Sequence, residues 1–415
     1  MEHAPIILLP SHIRLLRPRP RQSIVMDIEE YTIYFKNLVY PYDPTWDIQT
    51  VCDYGANFGE FWRLSEYPYD IDEFPLTVRI YDAWGSKLAE KTATVTLHTK
   101  LPNQKEYRLL CIGDSMTHTA FYVAHLADKL SNVKAIGLRS DNGAHAHEGR
   151  GGWTLCEYLD GHADRWNGPS PFIFPKNVSG KEYFGDLSFE ERIRTPELDT
   201  YSLDGYKVRE LKTGQVYHKD EKLYRHTENG DTLIDASPEW EFSFGKYLER
   251  LEQGTPDAVS ILLGANDLQC RPYEESEAYI AWFIRNLETL IGHIRSFSET
   301  MDIIINLPVT GADQYAWGIR GPRSGGAKMY RYNIVMACRE ILNRWDGKEN
   351  EHIFISPMLL TLDPVYGFDR RSDPANIYCD AQIGHHCNWV HPNRSGYYQM
   401  ADALAGVVRY LQMKK

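Results

Sequence analysis

RLLCIGDSMTHT, residues 108–119, is the stretch whose reading decides the fold. Arg108 to Ile112 is apolar enough for a buried strand, Gly113 permits a tight strand-to-helix turn, and Thr119 to Leu130 carries a helical period. Ser115 then stands at a helix N-terminus, where the dipole favours developing negative charge. The plain alternative for such a serine is a helix N-cap, and a GDS tripeptide alone does not separate the two.

The same alternation continues downstream. Strands are expected at Val133 to Leu138, Ala258 to Leu263, Asp302 to Leu307 and His352 to Ile355. Helices are expected at Gly152 to Leu159, Glu274 to Ser298, Ala327 to Trp345 and Gly396 to Met413. Apolar strands followed by amphipathic helices predict an α/β fold, a doubly wound parallel five-stranded sheet flanked by helices, over residues 105–415.

Upstream, YTIYFKNLVY, WDIQTVCDY, FPLTVRIYDA and EKTATVTLHT read as short strands broken by turn signals, which predicts a small β-sandwich over residues 23–104. Residues 1–22 are expected to be an N-terminal tail, with its basic stretch Arg14 to Arg21 solvated and without a role. Residues 161–241 are polar and rich in Tyr, Asp, Gly and Pro, with no helical period. A structureless loop of that length does not belong in a compact domain, so an inserted β-hairpin or lid is expected there.

Lys plus Arg number 45 against 57 Asp plus Glu, a net charge of -12 that opposes attraction to nucleic acid and to anionic lipid. Neither a nucleic-acid nor a membrane partner is expected, and no apolar window of about eighteen residues exists to span a bilayer. The opening MEHAPIILLPSHIRLL has too short and interrupted an apolar core for a signal peptide. The seven cysteines are scattered, odd in number and form no CxxC pair, so neither a disulfide framework nor a zinc site is suggested. A reducing, cytoplasmic location fits best, although a mature fragment of a secreted protein would look the same; self-association is left open.

In a doubly wound sheet, ligands gather at the carboxyl ends of the strands. After the second expected strand comes His147-Glu148-Gly149-Arg150-Gly151-Gly152-Trp153-Thr154, whose glycines let N–H groups approach an oxyanion. After the third comes Leu263-Gly264-Ala265-Asn266-Asp267, which offers an amide donor. Late in the chain, Asn388-Trp389-Val390-His391-Pro392-Asn393 places an imidazole before the last helix.

GDS, EGRGGWT, GAND and a late His-Pro, in this order at strand ends, closely resemble the SGNH (GDSL-like) hydrolase superfamily, over about residues 105 to 412. The resemblance implies Ser115 as nucleophile, Gly149 as backbone oxyanion donor beside the Ser115 N–H, Asn266 as side-chain oxyanion donor and His391 as general base. Asp114 and Asp267 are read as acceptors that fix loops rather than as catalysts.

One position departs from the pattern: Asn388 stands where the superfamily usually has the aspartate that orients the histidine. Asn388 could still accept from the ring, a main-chain carbonyl near Cys387 to Asn388 could hold it instead, Asp380 or Asp369 could reach it, or activity could be slow or lost. Four further histidines, His145, His147, His385 and His386, lack a carboxylate pattern that completes a metal set, so no metal and no cofactor is expected. Trp153, Trp317 and Trp389 flank the motifs, either lining a sugar cleft or packing.

The expectation is therefore a serine ester hydrolase that removes O-acetyl groups from a carbohydrate. A lipid or thioester hydrolase of the same superfamily is the first alternative. A carbohydrate-binding or structural protein with a decayed hydrolase domain is the second.

Overall fold

Leu109, Leu110, Cys111 and Ile112 are sealed from solvent, and they form the centre of strand β1 (Tyr107–Gly113). The computed structural model describes residues 4–17, 30–99, 105–141, 145–160, 170–186, 211–318 and 326–414. Around β1 lie β2 (Val133–Ile136), β3 (Arg139–Asp141), β4 (His145–Gly149), β5 (Ala258–Leu262), β6 (Asp302–Asn306) and β7 (Ile353–Ser356). Five of these run parallel in the order β2-β1-β5-β6-β7, so the winding reverses beside β1. The crevice at that reversal opens between the carboxyl ends of β1 and β5, where Ser115 and Asn266 follow.

The sheet has seven strands rather than the five expected. β4 pairs in parallel with the last residues of β1, Ile112 opposite Glu148 and Gly113 opposite Gly149, and β3 runs antiparallel to β4. Its residues HAHEG are too polar to read as a strand. They tolerate burial because they bond to one another and to neighbouring loops.

The helices follow periodicity closely. In α6, numbered after α1 (Ser115–His118), α2 (Phe121–Lys129), α3 (Leu155–Asp160), α4 (Phe244–Leu251) and α5 (Ala265–Leu268), Ser276–Phe297 buries Ile280, Phe283, Ile284, Leu287, Leu290, Ile291 and Ile294. That three-and-four spacing makes one continuous apolar face. α7 (Ala327–Trp345) and α8 (Arg394–Lys414) complete the layers. No helix among the described residues is long and apolar enough to cross a membrane.

The tail expected over residues 1–22 is corrected for its described part. Ile6–Ile7 and His12–Arg17 are strands, and Leu8, Leu9, Ile13 and Leu15 are buried. Strand His12–Arg17 runs parallel to Lys87–Thr99 at the edge of a four-stranded sheet completed by Glu73–Tyr81 and Asp47–Val51. A second, three-stranded sheet joins Tyr31–Tyr34, Phe61–Leu64 and Ala56–Asn57.

These sheets are bound to the doubly wound part rather than strung from it. Ser11 donates from N and Oγ to Asp346, Arg14 pairs with Glu349 at 2.9 Å, and Asn37 Nδ2 donates to the carbonyls of Leu359 and Leu362. Strand and helix approach so closely that a Cβ on Gly406 of α8 would collide with the Arg14 carbonyl. Arg14 is thus a buried structural residue, its guanidinium 4.4 Å from the Tyr410 ring.

Within the insert expected over residues 161–241, Tyr183–Asp186, Val216–Lys219, Lys222–Thr227 and Gly230–Asp235 form a four-stranded sheet. Ile173–Pro175 pairs with Trp240–Phe242. The β character is as read, but there is more of it than one hairpin. Residues 161–169 and 187–210 lie outside the described residues. A further hairpin, Arg370–Asn376 with Cys379–His386, was not anticipated. Both its faces are largely exposed, so it lacks the apolar alternation that betrays a half-buried strand.

Candidate active site

Gly113 closes β1 where a Cβ would strike the Thr117 side chain, and the chain turns there into α1. Asp114 caps the helix, accepting from the N–H of Met116 at 3.0 Å, and Ser115 occupies the first helical position. The serine is therefore not the N-cap, and its hydroxyl is free of that duty. As a first-turn N–H it also has no acceptor within the helix.

Across the crevice, the loop before α8 brings His391 Nε2 to 2.8 Å from Ser115 Oγ. The two residues are 276 apart in sequence. At this distance the hydroxyl can donate to Nε2 in the tautomer that leaves that nitrogen unprotonated. Asn388 is not placed as a ring acceptor. Its Oδ1 takes the main-chain N–H groups of Val390 and His391 at 3.3 and 3.1 Å, fixing the turn that carries the imidazole. An Asx turn of this kind explains an asparagine as well as an aspartate. Asp380 lies near the exposed distal turn of the Arg370–His386 hairpin, while Asp369 stands at its base, its carbonyl accepting from Cys387 N.

Gly149 requires a correction. Its N–H donates to His147 Nδ1 at 3.0 Å and its carbonyl faces Arg139 Nη1 at 3.3 Å, so it has no donor to spare for an oxyanion. Burial lowers the His147 pKa to about 3, which keeps the ring neutral and Nδ1 able to accept. Gly152, three residues on, has φ +75° and is exposed between buried Gly151 and buried Trp153. Gly152 directly precedes Trp153, whose carbonyl accepts from Asn266 Nδ2 at 2.9 Å, so exposed Gly152 and that amide's partner are neighbours in one short loop. Three glycines in one short loop made the choice illegible from spacing alone.

Two buried carboxyls tie the loops together. Asp114 accepts from Met116 N and from Ala265 N, linking the Ser115 turn to the Asn266 turn. Asp267 Oδ1 accepts from Leu155 N at 2.9 Å, linking the Asn266 turn to the glycine loop. Burial pushes both carboxyl groups up to about 7. Among the described residues Asp267 Oδ2 meets no partner, which a neutral carboxyl tolerates better than a carboxylate.

Because the folded pKa of Asp267 is raised from 3.8 to about 7, the protonated form favours folding. That stabilisation is fully present below 3.8 and is lost as pH rises through 7. Asp267→Asn, which keeps the acceptor for Leu155, is expected to flatten the decline of the thermal midpoint between those values. Melts across that range check this, and an unchanged slope counts against it.

The remaining residues pack or brace. Trp153 and Trp317 are 1% and 0% exposed, so they are core rather than cleft; Trp389 is half-buried against Trp317. His385 meets Asp373 at 2.9 Å, and His386 meets Asp313 at 3.0 Å and the Val365 carbonyl at 2.6 Å. Among the described residues no three His, Cys, Asp or Glu side chains gather as a metal set. At the start of the glycine loop, the buried pair Glu148–Arg150 at 3.2 Å is joined by Tyr247, whose hydroxyl donates to Glu148.

No protein-family model and no curated protein matches the sequence. Among solved structures, a carbohydrate acetylesterase family member from Sinorhizobium meliloti is similar over 74% of this chain and 99% of its own, at 13% identity and a TM-score of 0.36. A Parabacteroides merdae protein described as a GDSL-like lipase covers 74% and 99% respectively, at 13% identity and a TM-score of 0.33. Likenesses this distant add nothing to the geometry. The doubly wound sheet carries Ser115, the glycine loop, Asn266 and His391 at one edge.

Proposed function

We propose that the chain is a serine carboxylic-ester hydrolase of the SGNH type. The observation that carries this is the 2.8 Å approach of Ser115 Oγ to His391 Nε2 at the carboxyl edge of a doubly wound sheet. Ser115 Oγ bonds to the ester carbonyl carbon while its proton passes to His391 Nε2. The oxyanion is received by the N–H groups of Ser115 and Gly152 and by Asn266 Nδ2. Collapse breaks the ester C–O bond, and the His391 proton goes to the departing alkoxide. Water, deprotonated by His391, then releases the acid and restores Ser115.

The substrate class proposed is an O-acetylated carbohydrate. Beside His391, Asn393 Nδ2 bonds the Tyr366 carbonyl and Ala312 N bonds the Trp389 carbonyl, so the segments bearing Tyr366 and Tyr315 adjoin the catalytic loop. Both rings are exposed, 71% and 49%, with Asp313 and Arg370 nearby. Aromatic faces mixed with charged groups suit a sugar ring and its hydroxyls better than a long acyl chain.

Initial rates on p-nitrophenyl acetate, butyrate and octanoate test both levels. Acetate preference supports the deacetylase reading. Octanoate preference turns the substrate toward lipids or thioesters, and background rates on all three refute the hydrolase.

A further inference from the structure

The Asn266 amide has two ends of similar shape, and only one can donate to an oxyanion. One end lies 2.9 Å from the Trp153 carbonyl and the other 2.9 Å from the Gln269 side-chain amide. A main-chain carbonyl only accepts, so the end facing Trp153 is Nδ2. The end facing Gln269 is then Oδ1, and Gln269 has to donate to it from Nε2. Gln269 closes the single turn of α5, its own N–H donating to the Ala265 carbonyl at 3.1 Å, which brings its side chain back over Asn266.

We propose that Gln269 is a positioning residue for ester hydrolysis: by donating to Asn266 Oδ1 it holds the amide in the one orientation that leaves an Nδ2 hydrogen for the oxyanion. This rests on the reading of Asn266 as an oxyanion donor. Without Gln269, only the Trp153 carbonyl opposes rotation of the amide, and it takes one of the two Nδ2 hydrogens. A carboxylate at position 269 would do worse than nothing, because it repels Oδ1 and attracts Nδ2. Protonated, that same group would again donate.

The test compares the wild type with Asn266→Ala, Gln269→Leu and Gln269→Glu on p-nitrophenyl acetate, with thermal midpoints recorded for each. Asn266→Ala is expected to lower kcat about a hundredfold, as for loss of one oxyanion donor. Gln269→Leu is expected to lower kcat about tenfold with KM unchanged, the mark of an interaction made in the transition state. Gln269→Glu is expected to fall close to Asn266→Ala at neutral pH. Its rate relative to wild type should recover as pH drops toward about 4.3, where a glutamate takes its proton. A packing role for Gln269 would not produce that pH-dependent ratio.

If Asn266→Ala loses its hundredfold while both Gln269 variants stay within twofold and the ratio is flat, Gln269 has no positioning role and the oxyanion reading stands. If Asn266→Ala matches the wild type, the oxyanion reading falls and the role of Gln269 falls with it.

Discussion

Replacing Ser115 with alanine is expected to lower turnover of an activated acetate ester by about ten-thousandfold or more, the scale seen when a serine nucleophile is removed. His391→Ala should lose a comparable amount, because Nε2 stands 2.8 Å from Oγ and no other imidazole is shown in contact with that hydroxyl. The double variant should be no slower than either single one. Nucleophile and base act as a unit, so their losses do not add. Michaelis–Menten constants for the four proteins check this, with burst kinetics reporting the acyl-enzyme. A Ser115→Ala protein that keeps a tenth of wild-type kcat would refute the covalent mechanism. Losses that multiply in the double variant would separate His391 from Ser115.

Arg150→Met is expected to destabilise the fold by about 3 to 5 kcal/mol, the range for stripping one partner from a buried ion pair. Glu148 and Arg150 are 0% and 2% exposed, and the pair lies where β4 ends and the glycine loop begins. Without Arg150 the carboxylate would keep, among the described residues, only the Leu138 N–H and the Tyr247 hydroxyl. Those two donors partly satisfy it but bring no charge. Urea denaturation measures the loss directly. Adding Glu148→Leu to Arg150→Met should recover part of it, since the double variant no longer buries an unpaired charge. A single-variant loss below about 1 kcal/mol would mean that the pair is not buried as described.

How much of this could be read in the chain depends on whether a residue's partners are local. The strand β1 was legible because an apolar run of the right length has few alternatives in water, and α6 and α7 because their buried positions recur every three or four residues. β4 was missed since its burial relies on polar side chains whose partners lie on Leu138, Tyr247 and the loop itself. The segment His12–Arg17 looked like a solvated basic tail because its Arg14 neutralises on Glu349, 335 residues away. Sequence neighbours carried no trace of that pairing.

The site divides in the same way. Period and motif order determined a parallel α/β scaffold with a serine after the first strand and a histidine before the last helix, because period and punctuation act within a few residues. Tertiary structure alone decided that Gly149 spends its N–H on His147 and leaves Gly152 exposed, that Asn388 braces a turn, and that Trp153 and Trp317 are core. Hydrogen bonds and burial depend on distances of about 3 Å between groups that the chain order leaves far apart. Only the folded backbone sets those distances.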